Sequence, residues 1–155
     1  VALVPAEIGA SLPGPDGRLY ATRSEVMMAE LLTRAGIAYT PHVSFELGPH
    51  GPANPRPVNF CPDFVFDGRP MVWQPRGQSP LIIHGFELKQ EITRAANVRV
   101  LRLQRQRGIV IVVLHNRWVR RVHRDYFSPP YQARVRNLRH YLPLAPLEDR
   151  LLHLR

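Results

Sequence analysis

Residues Leu81-Ile82-Ile83-His84-Gly85-Phe86-Glu87-Leu88-Lys89 lead into Thr93 to Arg107, then Gly108, then Ile109-Val110-Ile111-Val112-Val113-Leu114. The pattern predicts an apolar strand, a helix and a second apolar strand. Ile92, Ala96, Val100 and Leu103 make one face of the helix, while Arg99, Arg102 and Gln106 make another. Gly108 supplies the stop. A strand–helix–strand unit returning to one sheet gives parallel neighbours through a right-handed crossover. The unbroken apolar run 109–114 predicts a strand in the middle of a sheet covered on both faces.

Upstream, Ile37 to Leu47 and Val58 to Asp67 read as two further strands. The Gly- and Pro-rich residues 48–57 between them cannot be regular structure. Asp67-Gly68 signals a turn, Met71 to Trp73 extends a hairpin, and Gln74 to Pro80 is a loop. Thr22 to Ala35 reads as the first helix. Thr22 and Glu25 fit a capping box, Met28, Leu31, Leu32 and Ala35 form an apolar stripe, and Gly36 ends it. Downstream, Trp118 to Tyr126 fits a strand or a helix, Ser128-Pro129-Pro130 breaks the chain, and Gln132 to Leu142 predicts a helix. The order is αβββαβ, an α/β fold with a mixed central sheet flanked by helices. The 155 residues are the size of one domain. They divide into an extended arm (1–21), a core (22–115) and a C-terminal extension (116–155), without internal repeats.

With 45% apolar residues the chain can fill a core, and its single cysteine, Cys61, excludes an internal disulfide. No Cys/His spacing suggests zinc. The longest apolar run, 109–114, is far short of the roughly 20 residues of a membrane-spanning helix. With no leader pattern, an intracellular, cytoplasmic location is expected, on the nucleoid if the source is bacterial. The missing first Met fits a processed domain or part of a larger parent chain. Net charge is +9, and 20 of the 21 basic residues are arginine, Lys89 being the exception. Residues 1–93 carry 7 basic and 9 acidic groups, residues 94–155 carry 14 and 3. A field so concentrated attracts polyanions, nucleic acid above all.

The chemistry converges on three segments. In a strand Glu87 and Lys89 share a face, about 7 Å apart at Cα, and Phe86 and Leu88 take the other. If the strand after Pro62 pairs with this one, Asp63 joins Glu87. Two carboxylates beside a lysine suit a hard cation such as Mg²⁺. Lysine, unlike arginine, can orient or activate water there, which gives Lys89 a reason to remain lysine.

Pro62-Asp63, then Glu87-Leu88-Lys89, with the Glu25 helix before and the 93–107 helix and 109–114 strand after, resembles the PD-(D/E)xK nuclease superfamily and its restriction-endonuclease-like core. The resemblance covers roughly residues 22–115. It implies Mg²⁺-dependent hydrolysis of DNA phosphodiesters, with Mn²⁺ able to substitute. Asp63, Glu87 and the Leu88 carbonyl would be the ligands, Lys89 would stand near the nucleophilic water, and Glu25 would occupy the place of a first-helix glutamate. The products implied are 5′-phosphate and 3′-hydroxyl ends, and restriction, repair, junction-resolving and transposon enzymes all fit.

Arg99 and Arg102 on the second helix, and Arg117, Arg120, Arg121 and Arg124 beyond the core, are the candidate phosphate contacts. Cys61 is expected to be buried and inert, His84 to be packed away from Glu87, and none of the seven histidines has spacing for a metal site. The rival from another class is a nucleic-acid-binding module that keeps the fold without turnover. Monomer, homodimer and complex with a partner protein all remain open.

Overall fold

The computed structural model describes residues 2–3, 11–49, 52–53, 55–128 and 138–147. In chain order these form β1 (Ala2–Leu3), β2 (Leu12–Pro13), β3 (Leu19–Tyr20), α1 (Arg23–Arg34), β4 (Tyr39–Pro41), β5 (Val43–Leu47), β6 (Val58–Phe60), β7 (Phe64–Phe66), β8 (Met71–Trp73), β9 (Leu81–Ile83), β10 (Gly85–Lys89), α2 (Arg94–Arg107), β11 (Ile111–His115), α3 (Asn116–Phe127) and β12 (Leu144–Pro146). The central sheet has the order β11-β10-β7-β4. β10 and β11 are parallel and the other pairs antiparallel, so the sheet is mixed. Smaller sheets, β1-β5-β6 and β12-β8-β9, adjoin it, and β2 pairs with β3. Among the described residues no helix is long and apolar enough to cross a membrane.

Alternation along the central strands builds two cores. Phe64, Phe66, Phe86 and Leu88 pack with Met28, Leu31 and Leu32 of α1 and Val119 and Val122 of α3. On the other face, Ile111 packs with Val43, Phe45, Leu47, Phe60 and Leu103 of α2, with Val65 against them. Helices therefore cover both faces. α1 starts at the expected box, with Thr22 as cap, and Gly36 beyond it takes a left-handed φ of 72°. α2 is capped by Thr93 and closed by Gly108 at φ 68°.

Several expectations need correction. The apolar run forms β11, one to two residues later than expected, and lies at the sheet edge rather than in its middle. An unbroken apolar run reports that both faces are covered, as α2 and α3 cover them here; it does not report position in the sheet. The three long strands are each broken: at His42, at Cys61–Asp63 and at His84. His84 switches the chain from one sheet to another and is held there by its neighbours. Its backbone N–H donates to Val110 O at 2.7 Å, and its Nδ1 accepts from Val110 N–H at 3.0 Å. Burial lowers its proton affinity.

The expected arm contains a hairpin, β2-β3, around Pro15-Asp16-Gly17. Tyr20 and Tyr39 both donate to Asp16 Oδ2, at 2.6 and 3.2 Å, which ties this hairpin to β4. Residues 118–126 are helical, within α3. Of the helix expected over 132–142, residues 132–137 lie outside the described residues, Leu138–His140 is a 3₁₀ turn, and β12 follows unexpected.

Candidate metal centre

The strands β4-β5 and β6-β7 are two halves of one hairpin. Pro41 pairs with Phe64 in the central sheet, and Phe45 pairs with Phe60 in the neighbouring one. Both ladders share one register, so it runs through the bend and sets His42 opposite Asp63. His42 N–H donates to Asp63 O at 3.3 Å, and His42 holds φ at 55°, a conformation uncommon for a residue with a Cβ. Opposite residues of an antiparallel pair project from the same face. The pairing of β10 with β7, Gly85 to Val65 and Phe86 to Phe64, brings Glu87 level with Asp63 in the same way. This close approach requires Gly85: a Cβ there would collide with the Phe64 carbonyl oxygen.

Asp63 and Glu87 meet side by side. Asp63 Oδ2 accepts from Leu88 N–H at 2.7 Å, and the two carboxyl groups hydrogen-bond to each other. Asp63 is held well above the usual carboxylate range, first by burial and then by the negative charge of Glu87; the Leu88 N–H opposes this. Glu87 is also raised, by burial above all, with the Asp63 hydrogen bond and the Lys89 ammonium pulling it back. Both carboxyl groups thus favour their protonated forms more than a free side chain does. In a strand, a residue's N–H and C=O point toward the same neighbour, so the Leu88 carbonyl also lies on the Asp63 side.

Glu25 is buried at the start of α1 and uses its two oxygens differently. Oε2 accepts from Thr22 N–H at 2.8 Å and Thr22 Oγ1 at 2.9 Å. Oε1 lies 3.4 Å from His42 Nε2. The capping box therefore aims the carboxylate rather than competing with a site role. One donor atom each from Glu25, His42 and Asp63 lies within 4.8 Å of the others. Sequence reasoning assigned no histidine to a metal group; the fold brings His42 beside Glu25 and Asp63. The available signal was the hairpin register.

Glu87 and Lys89 face a hollow of about 250 Å³, with Phe60, Thr93, Ala96 and Arg99 on its other walls. Cys61, at the bend, is a free thiol and only half-buried. The larger cavity, about 580 Å³, opens at the far end of α1 between Arg34, Phe66, Met71 and Leu142, away from the carboxylates.

The arginines divide. Arg99 stands at the rim of the Glu87/Lys89 hollow. Arg102 donates to the Gly48 carbonyl and is tied to the hairpin. On α3, Arg117 and Arg121 share a shallow depression with His115 and Trp118. Arg120 Nε donates to Ser24 Oγ at 3.3 Å, one residue before Glu25, and Arg124 pairs with the adjacent Asp125 at 3.2 Å. Spaced at i, i+3, i+4 and i+7, the four arginines share one exposed face of α3, and within it Arg120 and Arg124 have protein partners. Trp73 and Trp118 pack edge-to-face in the core. No protein-family model, curated protein or solved structure matches the chain.

Proposed function

We propose that this chain is a Mg²⁺-dependent endodeoxyribonuclease of the restriction-endonuclease-like fold, Mn²⁺ substituting for Mg²⁺. The observation that carries the proposal is the hydrogen-bonded Asp63–Glu87 pair set beside Lys89 at the junction of two sheets. Two partly desolvated carboxylates set side by side are poorly compensated by the protein alone, and a divalent cation is the natural counter-charge. The donor set fits: oxygens from Asp63, Glu87 and the Leu88 carbonyl are what Mg²⁺ takes, with waters completing the shell. A cation bound there lowers the pKa of water and stabilises charge on a phosphoryl oxygen.

The chain's own residues divide the remaining work. Asp63 and Glu87 hold their geometry through the Leu88 N–H and through each other. Lys89, on the Glu87 side, offsets phosphate charge and orients a water at the rim. Glu25, fixed by Thr22, adds a third carboxylate. Arg99 at the hollow, and Arg117 and Arg121 on α3, supply contacts to backbone phosphates, which position DNA without reading sequence. Arg102, Arg120 and Arg124 have protein partners and are weaker choices for that task.

The test is cleavage of duplex, nicked, flapped and four-way DNA in Mg²⁺. Cutting that leaves 5′-phosphates, stops in EDTA, and is lost by about a hundredfold or more in Asp63→Ala, Glu87→Ala and Lys89→Arg is expected. Ca²⁺ should support binding with little turnover. Full activity in purified Asp63→Ala removes the proposal. DNA binding without cleavage of any substrate replaces it with a non-catalytic nucleic-acid-binding module.

A further inference from the structure

We propose that His42 is a nitrogen ligand, with Glu25 and Asp63, of a second cation subsite that favours Mn²⁺ over Mg²⁺. The inference rests on reading this pocket as a cation site, and it adds a residue and a metal preference to that reading. Three observations carry it. The donor atoms of the three side chains converge within 4.8 Å. Glu25 Oε1 and His42 Nε2 are 3.4 Å apart; two ligands about 2.0–2.2 Å from one ion lie roughly 3–3.5 Å from each other. Both side chains are enclosed, at 6% and 19% exposure, so neither is a solvated surface group.

The fold sets this arrangement from two directions. The hairpin register places His42 across from Asp63, and the capping box turns the Glu25 Oε1 inward. Asp63 belongs to both donor sets, one with Glu87 and one with Glu25 and His42, which is how paired ions are held in two-cation hydrolytic sites. The chemistry then separates the metals. An all-oxygen set suits Mg²⁺ and Ca²⁺. Replacing one oxygen with imidazole nitrogen moves preference toward first-row transition ions, of which Mn²⁺ still accepts carboxylates and water.

The test uses Mn²⁺ alone, titrated into the full chain, with pulsed electron paramagnetic resonance to detect nitrogen coupled to the bound ion. The control variants are His42→Asn and His42→Gly. Both residues tolerate a φ of 55°, so a lost signal is not a lost fold. Wild type is expected to show nitrogen coupling. Both variants should lose it and bind Mn²⁺ about tenfold or more weakly, with Mg²⁺ affinity changing by less than about twofold. Glu87→Gln should keep the coupling. Bound Mn²⁺ without nitrogen coupling in wild type, or coupling that survives in both His42 variants, overturns the proposal. Cleavage in Mg²⁺ without nitrogen coupling leaves the nuclease standing and removes His42. Coupling in a chain that cuts no DNA does the reverse. Absence of any Mn²⁺ binding removes both.

Discussion

Asp63→Asn should make the metal-free protein more stable at neutral pH while abolishing cleavage. In the folded chain Asp63 binds its proton more tightly than its ordinary value of 3.8. Its contribution to stability is therefore fully present below pH 3.8 and is lost as pH rises through the folded value. At neutral pH the native state without metal must either take up a proton that the unfolded chain has lost or hold two neighbouring like charges, and both cost stability. Asparagine keeps an oxygen for the Leu88 N–H and offers an amide N–H to Glu87, so it reproduces the protonated state at every pH. Each unit of displaced pKa is worth about 1.4 kcal/mol, discounted here because Asp63 is only half-buried. A net gain of about 0.5–2 kcal/mol is expected, or roughly 2–6 °C in melting temperature for a domain of this size. The assay is calorimetric melting in EDTA at neutral pH and near about pH 4, where the two proteins should converge. Saturating Mg²⁺ should then reverse their order, since a hundredfold excess over Kd stabilises wild type by about 2.7 kcal/mol. A variant less stable than wild type at neutral pH, or a gain that does not change with pH, would refute the reasoning.

Gly85→Ala should destabilise the chain by about 1–3 kcal/mol or more, because the new methyl strikes the Phe64 carbonyl oxygen; a chemical denaturation curve unchanged from wild type contradicts the pairing of β7 with β10. Thr22→Ala should cost about 1 kcal/mol through the lost cap and also lower cleavage, since Glu25 loses one of its tethers; melting and turnover measured together check both effects. The double variant Arg117→Ala/Arg121→Ala should weaken DNA binding alike on all sequences and flatten the salt dependence by about one unit per arginine. Affinity in Ca²⁺ against salt concentration tests this, and an unchanged slope assigns the phosphates elsewhere.

The elements that could be read from sequence were those with local punctuation. Thr22, Glu25 and Gly36 bracket α1, and Thr93 and Gly108 bracket α2, because caps are properties of neighbouring residues. Asp63 and Glu87 could be brought together on paper because side chains alternate along strands. The bends at His42, Asp63 and His84 were hidden for the same reason. A strand that kinks without gaining or losing a residue keeps its two-residue period, so the hydrophobic pattern passes through the kink unmarked. β11 appeared central because burial on both faces looks the same at an edge covered by helices. The short β2-β3 and β12 strands are stabilised by distant partners, Tyr39 and Trp73 among them, and such contacts leave no local trace. His42 became a site residue only through its cross-strand partner.

The shared register of the bent hairpin also divides the chain into lengths that can vary and lengths that cannot. Residues 48–57 join β5 to β6, yet the pairing of those strands is continuous with that of β4 and β7 and does not depend on the connection. Loop closure grows only logarithmically, so doubling this segment costs about 0.6 kcal/mol. Pro52 and Ala53 are exposed, and a foreign peptide inserted between them leaves Asp63 in place. Removing a single residue from Cys61–Asp63 shifts the pairing by one and swings the carboxylate toward the opposite core. New binding segments can therefore be grafted onto the first stretch, while the second admits no change of length.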